Sequence, residues 1–274
     1  MTLRIIPKID VKGKNLVKGV HLEGLRALGD PAKFSEFYFS NFADEIIYHD
    51  VVASLYERNS LTELIKRVSR DVFIPFVVGG GIRNSNDVKK ILASGADRIF
   101  INTSAIKNPD IIDKISDEFG SSTLIISMEV FKAKGDYKCY IDYGREETDI
   151  ELFSWIEKVE NKGAGEILVT SIDRDGTGKG FDVELSEKIT KESDMPFIIG
   201  GGFGKKEHLK ELLTFSNPSG IFISSALHYN YVLNNLDKNW FNDEGNFEFL
   251  KKEEKFEKFE NITISELKNY INNI

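Results

Sequence analysis

The chain of 274 residues is 41% hydrophobic and 29% charged, and it carries a formal net charge of -8. This composition is typical of a globular protein with a sizeable core, and the acidic balance argues against a nucleic-acid-binding surface, which would need a basic stripe. A single cysteine, Cys139, excludes an intrachain disulfide and favours an intracellular setting. Because the sequence shows neither a signal-peptide pattern nor an apolar run of membrane-spanning length, we predict a cytoplasmic protein without a membrane partner.

Strand and helix patterns alternate along the first half of the chain. Period-two alternation in the first strand places Arg4, Ile6, Lys8 and Asp10 on one face. Residues 13–30 are rich in glycine and charge and are expected to form a loop that contains Lys18. Strands are predicted at 3–10, 45–50, 74–78 and 98–102, and helices at 31–42, 61–69, 84–94 and 110–119.

The second half repeats this alternation and adds two segments. Residues 137–143 are predicted to form one arm of an inserted hairpin. Residues 229–260 form a long aromatic and charged insertion before the last helix, and either a solvated helix face or a lid or partner contact is compatible with its composition. The other strands are predicted at 124–130, 166–171, from 197 and at 220–224, and helices at 150–161, 184–192, 206–215 and 264–271.

Two segments share one plan at a constant offset of 121 residues, namely 76–105 and 197–226. Each runs from an apolar strand into three glycines, then through a helix to a second strand with a polar end. A fixed long offset indicates a duplicated structural unit. Glycine backbone at a helix start can approach an anion closely, so the two triplets suggest a substrate with a phosphate at each end. The alternative is that these glycines serve only as tight turns.

Eight strands that alternate with helices predict a parallel sheet. With the internal duplication, they predict a single closed (β/α)8 TIM barrel of the α/β class. Its half-barrels would span about 1–120 and 121–274, and the alternative is an open doubly wound sheet. In a barrel of this kind the strand C-termini and the βα loops build the catalytic face.

Several long segments resemble the cyclase subunit of imidazole glycerol phosphate synthase, a (β/α)8 enzyme of histidine biosynthesis. The similarity covers residues 4 to about 228 and resumes at 264–274. A related pathway enzyme, the isomerase that converts an aminoaldose to an aminoketose, resembles the chain less at TSIDRDGT and GLRALGDP. The matching segments are RIIPKIDVKG, VKGVHLEGLRALGDP, GGGIRNSNDVKKILASGADRIFINTSAIKNP, GAGEILVTSIDRDGTGKGFD and the second glycine triplet.

The resemblance implies an ammonia-dependent lyase and cyclase that uses no metal or redox cofactor. Its substrate would be an aminoimidazole carboxamide nucleotide with a ribulosyl phosphate arm, and its products imidazole glycerol phosphate and aminoimidazole carboxamide ribotide. Ammonia would come from a glutaminase subunit, docked as a heterodimer partner on the N-terminal face of the strands, and would travel through the barrel.

The resemblance also assigns individual residues. Asp10 and Glu129 match the two catalytic acids, one of which would act as acid and the other as base, and Lys18 matches a loop lysine that contacts substrate. The substrate- and phosphate-binding positions are Asp50, Gly80, Gly81, Asn102, Thr103, Thr170, Asp175, Gly176, Gly201, Gly202, Ser224 and Ser225. The positions at the ammonia gate and partner interface are Arg4, Glu45, Asp97, Arg98 and Glu166. Helix capping is the alternative interpretation of Asp50 and Asp175, and ordinary salt bridges are the alternative for the charged ring.

Five features depart from the family pattern. Glu129 replaces an aspartate, Lys8 a cysteine, Tyr143 a small residue and Gly200 a serine, and the insertion at 229–260 is the fifth. Lys8 points inward one layer below Asp10, where it could pair with Asp10 or Glu129, lower that acid's pKa or obstruct ammonia. Two alternatives to the histidine-pathway cyclase therefore stay open. One is a paralogue that delivers ammonia for sugar amidination in surface-polysaccharide or glycan biosynthesis, and the other is a catalytically silent ammonia conduit.

Overall fold

The computed structural model of the chain describes residues 3–53, 61–235 and 258–274. Its strands are Arg4–Lys12 (β1), Asn15–Val20 (β2), Glu23–Gly29 (β3), Ile46–Asp50 (β4), Phe76–Gly79 (β5), Arg98–Ile101 (β6), Leu124–Ala133 (β7), Asp136–Ile141 (β8), Glu146–Glu151 (β9), Glu166–Ser171 (β10), Phe197–Gly200 (β11) and Gly220–Ile223 (β12). Its helices are Pro31–Ser40 (α1), Leu61–Val68 (α2), Ser85–Ala93 (α3), Thr103–Lys107 (α4), Asp110–Phe119 (α5), Leu152–Asn161 (α6), Val183–Glu192 (α7), Glu207–Phe215 (α8), Ser225–Leu233 (α9) and Ile264–Ile271 (α10).

Eight of the strands pair in parallel and close into a barrel, in the order β1-β4-β5-β6-β7-β10-β11-β12 and back to β1. The predicted (β/α)8 barrel is therefore confirmed, and the open doubly wound sheet is excluded. No helix in the described ranges is long and apolar enough to cross a membrane. Residues 236–257, most of the insertion predicted at 229–260, lie outside the described residues, and residues 229–233 belong to α9.

Two antiparallel additions extend the barrel strands beyond its C-terminal face. The loop predicted at 13–30 is wrong, because β2 and β3 form a hairpin there that pairs with the end of β1. The strands NLVKGV and EGLRALG show no regular alternation of apolar and polar residues and contain three glycines, so the sequence carries no clear strand pattern there. On the other side, β8 and β9 extend β7. The β9 sequence EETDIE has no apolar face, and for this reason only β8 was predicted.

A ring of eight apolar side chains, one from each barrel strand, fills the middle of the barrel. Two of its members, Phe100 and Phe222, lie against glycines. A Cβ atom on Gly79 would come within 2.4 Å of the Phe100 ring, and one on Gly200 within 2.3 Å of the Phe222 ring. Both glycines therefore make room for a neighbouring aromatic ring, which explains why serine is absent at position 200. The ring consists of Ile6, Ile47, Val77, Phe100, Ile125, Leu168, Ile198 and Phe222.

Candidate active site

A cavity of about 370 Å³ opens at the C-terminal ends of β4 to β7. The first glycine triplet reaches its wall with positive φ values, +102° at Gly80 and +72° at Gly81. A side chain on Gly80 would collide with the backbone of Asp50, 2.4 Å away, so only glycine brings the backbone this close to the cavity. The predicted residues in the wall are Asp50, Gly80, Gly81, Asn102, Thr103 and Glu129, and the cations Arg83 and Lys107 join them.

A second, much smaller pocket of about 20 Å³ lies at the ends of β11 and β12. Its glycines repeat the geometry of the first triplet, with φ values of +102° at Gly201 and +96° at Gly202. The predicted residues Asp175, Gly176, Gly201, Gly202, Ser224 and Ser225 line it together. The two predicted groups of phosphate-binding residues therefore form two separate pockets at the barrel mouth.

Lys18 forms an ion pair with Asp175, a residue of the second pocket's wall. It lies on β2, and its Nζ donates to both carboxylate oxygens of Asp175, at 2.8 and 2.7 Å. Both side chains are buried, and the backbone N–H of His21 also donates to the carbonyl of Asp175 at 2.9 Å. The β2–β3 hairpin is therefore held against Asp175, and a ligand that binds the carboxylate of Asp175 must compete with this ion pair.

Asp10 is fully buried beneath the mouth, with both carboxylate oxygens occupied. Lys8 Nζ donates to Oδ1 at 2.9 Å, and the Tyr143 hydroxyl donates to Oδ2 at 2.8 Å. Burial alone would raise the pKa of Asp10, but the charges of Lys8 and Lys18 outweigh it and lower this pKa to about 2. The pairing of Lys8 with Asp10, one of the alternatives left by the sequence, is the one the structure shows.

Glu129 lies on β7 and is part of the wall of the larger cavity. The Asn102 amide at 3.1 Å and the backbone N–H of Gly144 at 2.9 Å both donate to its Oε2 atom. Burial raises the pKa of Glu129 to about 7, although Lys8 and the bond from Gly144 act in the opposite direction. A carboxyl with this pKa can both accept and donate a proton near neutral pH.

His49 was not predicted, although the sequence contained the signal for it. Alternation along β4 puts Glu45, Ile47 and His49 on the inward face, and Ile47 belongs to the apolar ring. His49 lines the cavity, and its Nδ1 atom lies 3.7 Å from Asp10 Oδ1 without a hydrogen-bond partner. Burial and the charge of Lys8 lower its pKa to about 3, so the imidazole is neutral.

Three predicted catalytic or substrate-binding residues, Asp10, Lys18 and Thr170, do not reach either pocket wall. Asp10 is covered by Lys8 and Tyr143, and Thr170 is buried on β10 beside Glu129 in the sheet register. The side chain of Asp50 accepts a hydrogen bond from the backbone N–H of Val52 at 3.1 Å, which stabilises the start of the loop that follows β4. The same residue also lines the cavity.

At the opposite end of the barrel, four charged residues form a closed ring. Arg4 donates to Glu45 at 2.9 Å and also to Glu166, and Arg98 donates to Glu166 at 2.6 Å and lies 3.7 Å from Glu45. Burial raises the pKa of Glu45 despite the two arginines. Asp97, predicted at the partner interface, accepts from the backbone N–H of Phe76 at 2.8 Å.

The comparison with known proteins agrees with this architecture. Residues 4–232 match the family of histidine biosynthesis proteins. This chain belongs to that family. The imidazole glycerol phosphate synthase subunit HisF of Legionella pneumophila is 47% identical over 206 residues, which cover 75% of this chain and 97% of that protein. The HisF subunit of Alkaliphilus metalliredigens is 40% identical over 233 residues, 85% of this chain and 92% of its own. That of Methanocaldococcus jannaschii is 38% identical over 259 residues, with coverage of 87% and 95%.

The HisF-type resemblance predicted from the sequence is therefore confirmed, whereas the roles of individual residues stay predictions.

The burial of Glu129 makes the stability of the fold depend on pH. Because burial raises its pKa to about 7 from an ordinary 4.5, the folded state binds this proton more tightly than the unfolded chain does. The resulting stabilisation is complete below pH 4.5 and is lost as the pH rises through 7.

We expect the free energy of unfolding of the wild type to fall by about 2–3 kcal/mol between pH 5 and pH 8 relative to a Glu129→Gln variant, which has no proton to lose. Urea denaturation of both proteins across this range measures the difference. If the difference in the free energy of unfolding between the two proteins were the same at pH 5 and pH 8, Glu129 would not titrate in this range.

Proposed function

We propose that this chain is the cyclase subunit of imidazole glycerol phosphate synthase, the HisF subunit. The observation that carries the proposal is the pair of glycine-lined pockets at one barrel mouth, with Glu129 in the wall of the larger and Lys18 paired with Asp175 in the wall of the smaller. Such pockets suit a nucleotide with a phosphate at each end. The family relationship supports the histidine-pathway reaction, an ammonia-dependent lyase and cyclase step.

In this proposal the larger cavity binds one phosphate through Gly81, Asn102 and Thr103, with Arg83 and Lys107 supplying positive charge. The other phosphate binds at Gly202, Ser224 and Ser225 after Lys18 has left Asp175. The reacting bonds would then lie near Glu129, the carboxyl that can exchange a proton near neutral pH. Ammonia adds to the carbonyl carbon of the ribulosyl arm, whose oxygen leaves as water. The imidazole ring then closes as the C–N bond to the carboxamide nucleotide breaks, and the amino nitrogen of that nucleotide leaves with a proton.

The N-terminal face is the surface we assign to a HisH-like glutaminase partner. Phe42 and Phe73 are 69% and 75% exposed, and Phe215 is also exposed. They lie in or beside connections from a helix to the next strand, which belong to the same face as the Arg4 ring. Exposed aromatic residues around a charged centre are typical of a protein–protein interface. The cytoplasmic location stays a prediction from the sequence.

Substituting Phe73→Asp is expected to weaken binding of the glutaminase by at least about tenfold, because a carboxylate would be desolvated in an apolar contact. Titration calorimetry with the purified glutaminase measures this effect, and turnover with ammonium salt is expected to stay within about twofold. The matched control is Phe131→Asp, an exposed phenylalanine at the opposite face. Equal binding by the Phe73 variant and the wild type would contradict the docking face.

The function is tested by turnover of the ribulosyl aminoimidazole carboxamide bis-phosphate with purified chain and an ammonium salt at alkaline pH. We expect both products in equal amounts. Tight binding of the nucleotide without turnover would overturn the proposal. It would favour the paralogue that delivers ammonia for sugar amidination, or the silent conduit. The silent conduit is supported by the hydrogen bonds from Lys8 and Tyr143 that occupy both carboxylate oxygens of Asp10.

A further inference from the structure

The two acids differ in the number of oxygens left free. Lys8 and Tyr143 occupy one oxygen each on Asp10, which is fully buried and absent from the cavity wall. In Glu129, both donors, Asn102 and Gly144, bind the same atom, Oε2. Within the described residues, Oε1 of Glu129 therefore accepts no hydrogen bond, although this side chain lines the cavity.

Lys8 is held in the position from which it acts on Asp10. Its side chain points into the barrel, with Nζ 5.3 Å from the centre of the Phe222 ring and 5.8 Å from that of Tyr143. Both the lysine and the aspartate are buried, so their ion pair is shielded from water. Both belong to β1, two residues apart, so the strand places their side chains next to each other on one face.

We propose that Lys8 is a positioning residue that fixes Asp10 as a permanent carboxylate, and that Glu129 alone exchanges protons with the substrate through Oε1. The inference rests on the proposed function and deepens it by assigning a different role to each of the two acids, a fixed charge to Asp10 and proton exchange to Glu129. Once ammonia has replaced the ribulosyl carbonyl oxygen, which leaves as water, the new nitrogen forms the ring C–N bond while the C–N bond to the carboxamide nucleotide breaks. The proton that leaves the attacking nitrogen in this step is held on Oε1 and passed to the departing nitrogen. No proton is gained or lost overall, and the negative charge of Asp10 stabilises the cationic intermediates formed on the way.

The charged and titratable groups around the pair support this division. Facing Asp10 are Lys8 on β1, Lys18 on β2, the neutral His49 on β4, Glu129 on β7, Tyr143 after β8 and the neutral His228 on α9. The two lysines lower the pKa of Asp10 to about 2 against its burial. Burial raises the pKa of Glu129 to about 7, even though Lys8 favours its ionised form.

Carboxyl-carbon NMR tests the proposal without any need for turnover, with signals assigned by the Asp10→Asn and Glu129→Gln variants. In the wild type we expect a constant Asp10 signal from pH 8 to pH 4 and a Glu129 titration centred near 7. In Lys8→Met the midpoint of Asp10 is expected to rise by about five pH units, to near 7, since the carboxyl stays buried without its cation. Lys8→Arg keeps the charge and is expected to retain the constant signal. Titration of Asp10 above pH 5 in the wild type would overturn the proposal, and so would a constant signal in a folded Lys8→Met.

The pH profile of kcat, measured with ammonium salt at fixed free ammonia, gives the functional readout. Lys8→Met is expected to be at least about tenfold slower than the wild type at pH 6 and to come within about threefold at pH 9, where Asp10 has lost its proton. The KM for the nucleotide is expected to change less than threefold. Parallel profiles for the two proteins would overturn the positioning role. A wild type without turnover would instead refute the proposed function, and the NMR titration would still decide the state of Asp10.

Discussion

Replacing Glu129 by glutamine is expected to lower kcat by about 10²–10⁴-fold, the range typical of a lost general acid–base group. The glutamine side chain has the same length, and its carbonyl oxygen can still accept from Asn102 and Gly144, as Oε2 of Glu129 does. The fold and the cavity are therefore kept, while the exchangeable proton is lost. The measurement is turnover of the bis-phosphate nucleotide with ammonium salt, alongside calorimetric binding of the same nucleotide, which we expect to change less than threefold.

Two further variants show whether the loss comes from proton transfer. Glu129→Asp retains the carboxyl but withdraws it by one methylene, and a displacement of about 1 Å is expected to cost on the order of 10²-fold. The exposed Glu157 on α6 provides the matched control, and Glu157→Gln is expected to have wild-type activity. Activity of Glu129→Gln within threefold of the wild type would exclude Glu129 from the chemistry.

The second large effect is expected on stability. Gly200→Ser introduces the serine that the resemblance to the cyclase family predicts at this position, yet its Cβ would lie 2.3 Å from the buried Phe222 ring. Since the apolar ring around Phe222 has no room for the side chain to move, we expect a loss of about 3 kcal/mol in the free energy of unfolding. For a protein of this size that corresponds to a fall in Tm of roughly 6–12 °C, measurable by calorimetry.

The cause of this loss can be separated from ordinary glycine effects. Gly13→Ala is the control, because its Cβ would meet nothing within 4 Å and only its positive φ of +63° opposes alanine, at a cost of about 1 kcal/mol. The double variant Gly200→Ser/Phe222→Leu removes the ring and is expected to recover part of the lost stability. A Gly200→Ser protein as stable as the wild type would contradict the steric account of this position.

The sequence was most informative where a feature repeats along the chain. The alternation of β1 predicted that Arg4, Lys8 and Asp10 share the inward face, and the repeated glycine triplets predicted two pockets. Both are local patterns, because the side-chain direction in a strand and the conformational freedom of glycine depend on the residue and its immediate neighbours. For the same reason, the inward direction of His49 could have been predicted from β4.

Contacts between distant parts of the chain were decided by the tertiary structure. Tyr143 reaches Asp10, and Lys18 reaches Asp175, only because the barrel closes and the two antiparallel additions lie over its mouth. The sequence by itself determined the (β/α)8 alternation, the inward faces and the glycine-lined turns, since each follows from short-range geometry. Only the tertiary structure decided which acid is covered and which faces the cavity, because burial and pairing depend on residues brought together from far apart in the chain.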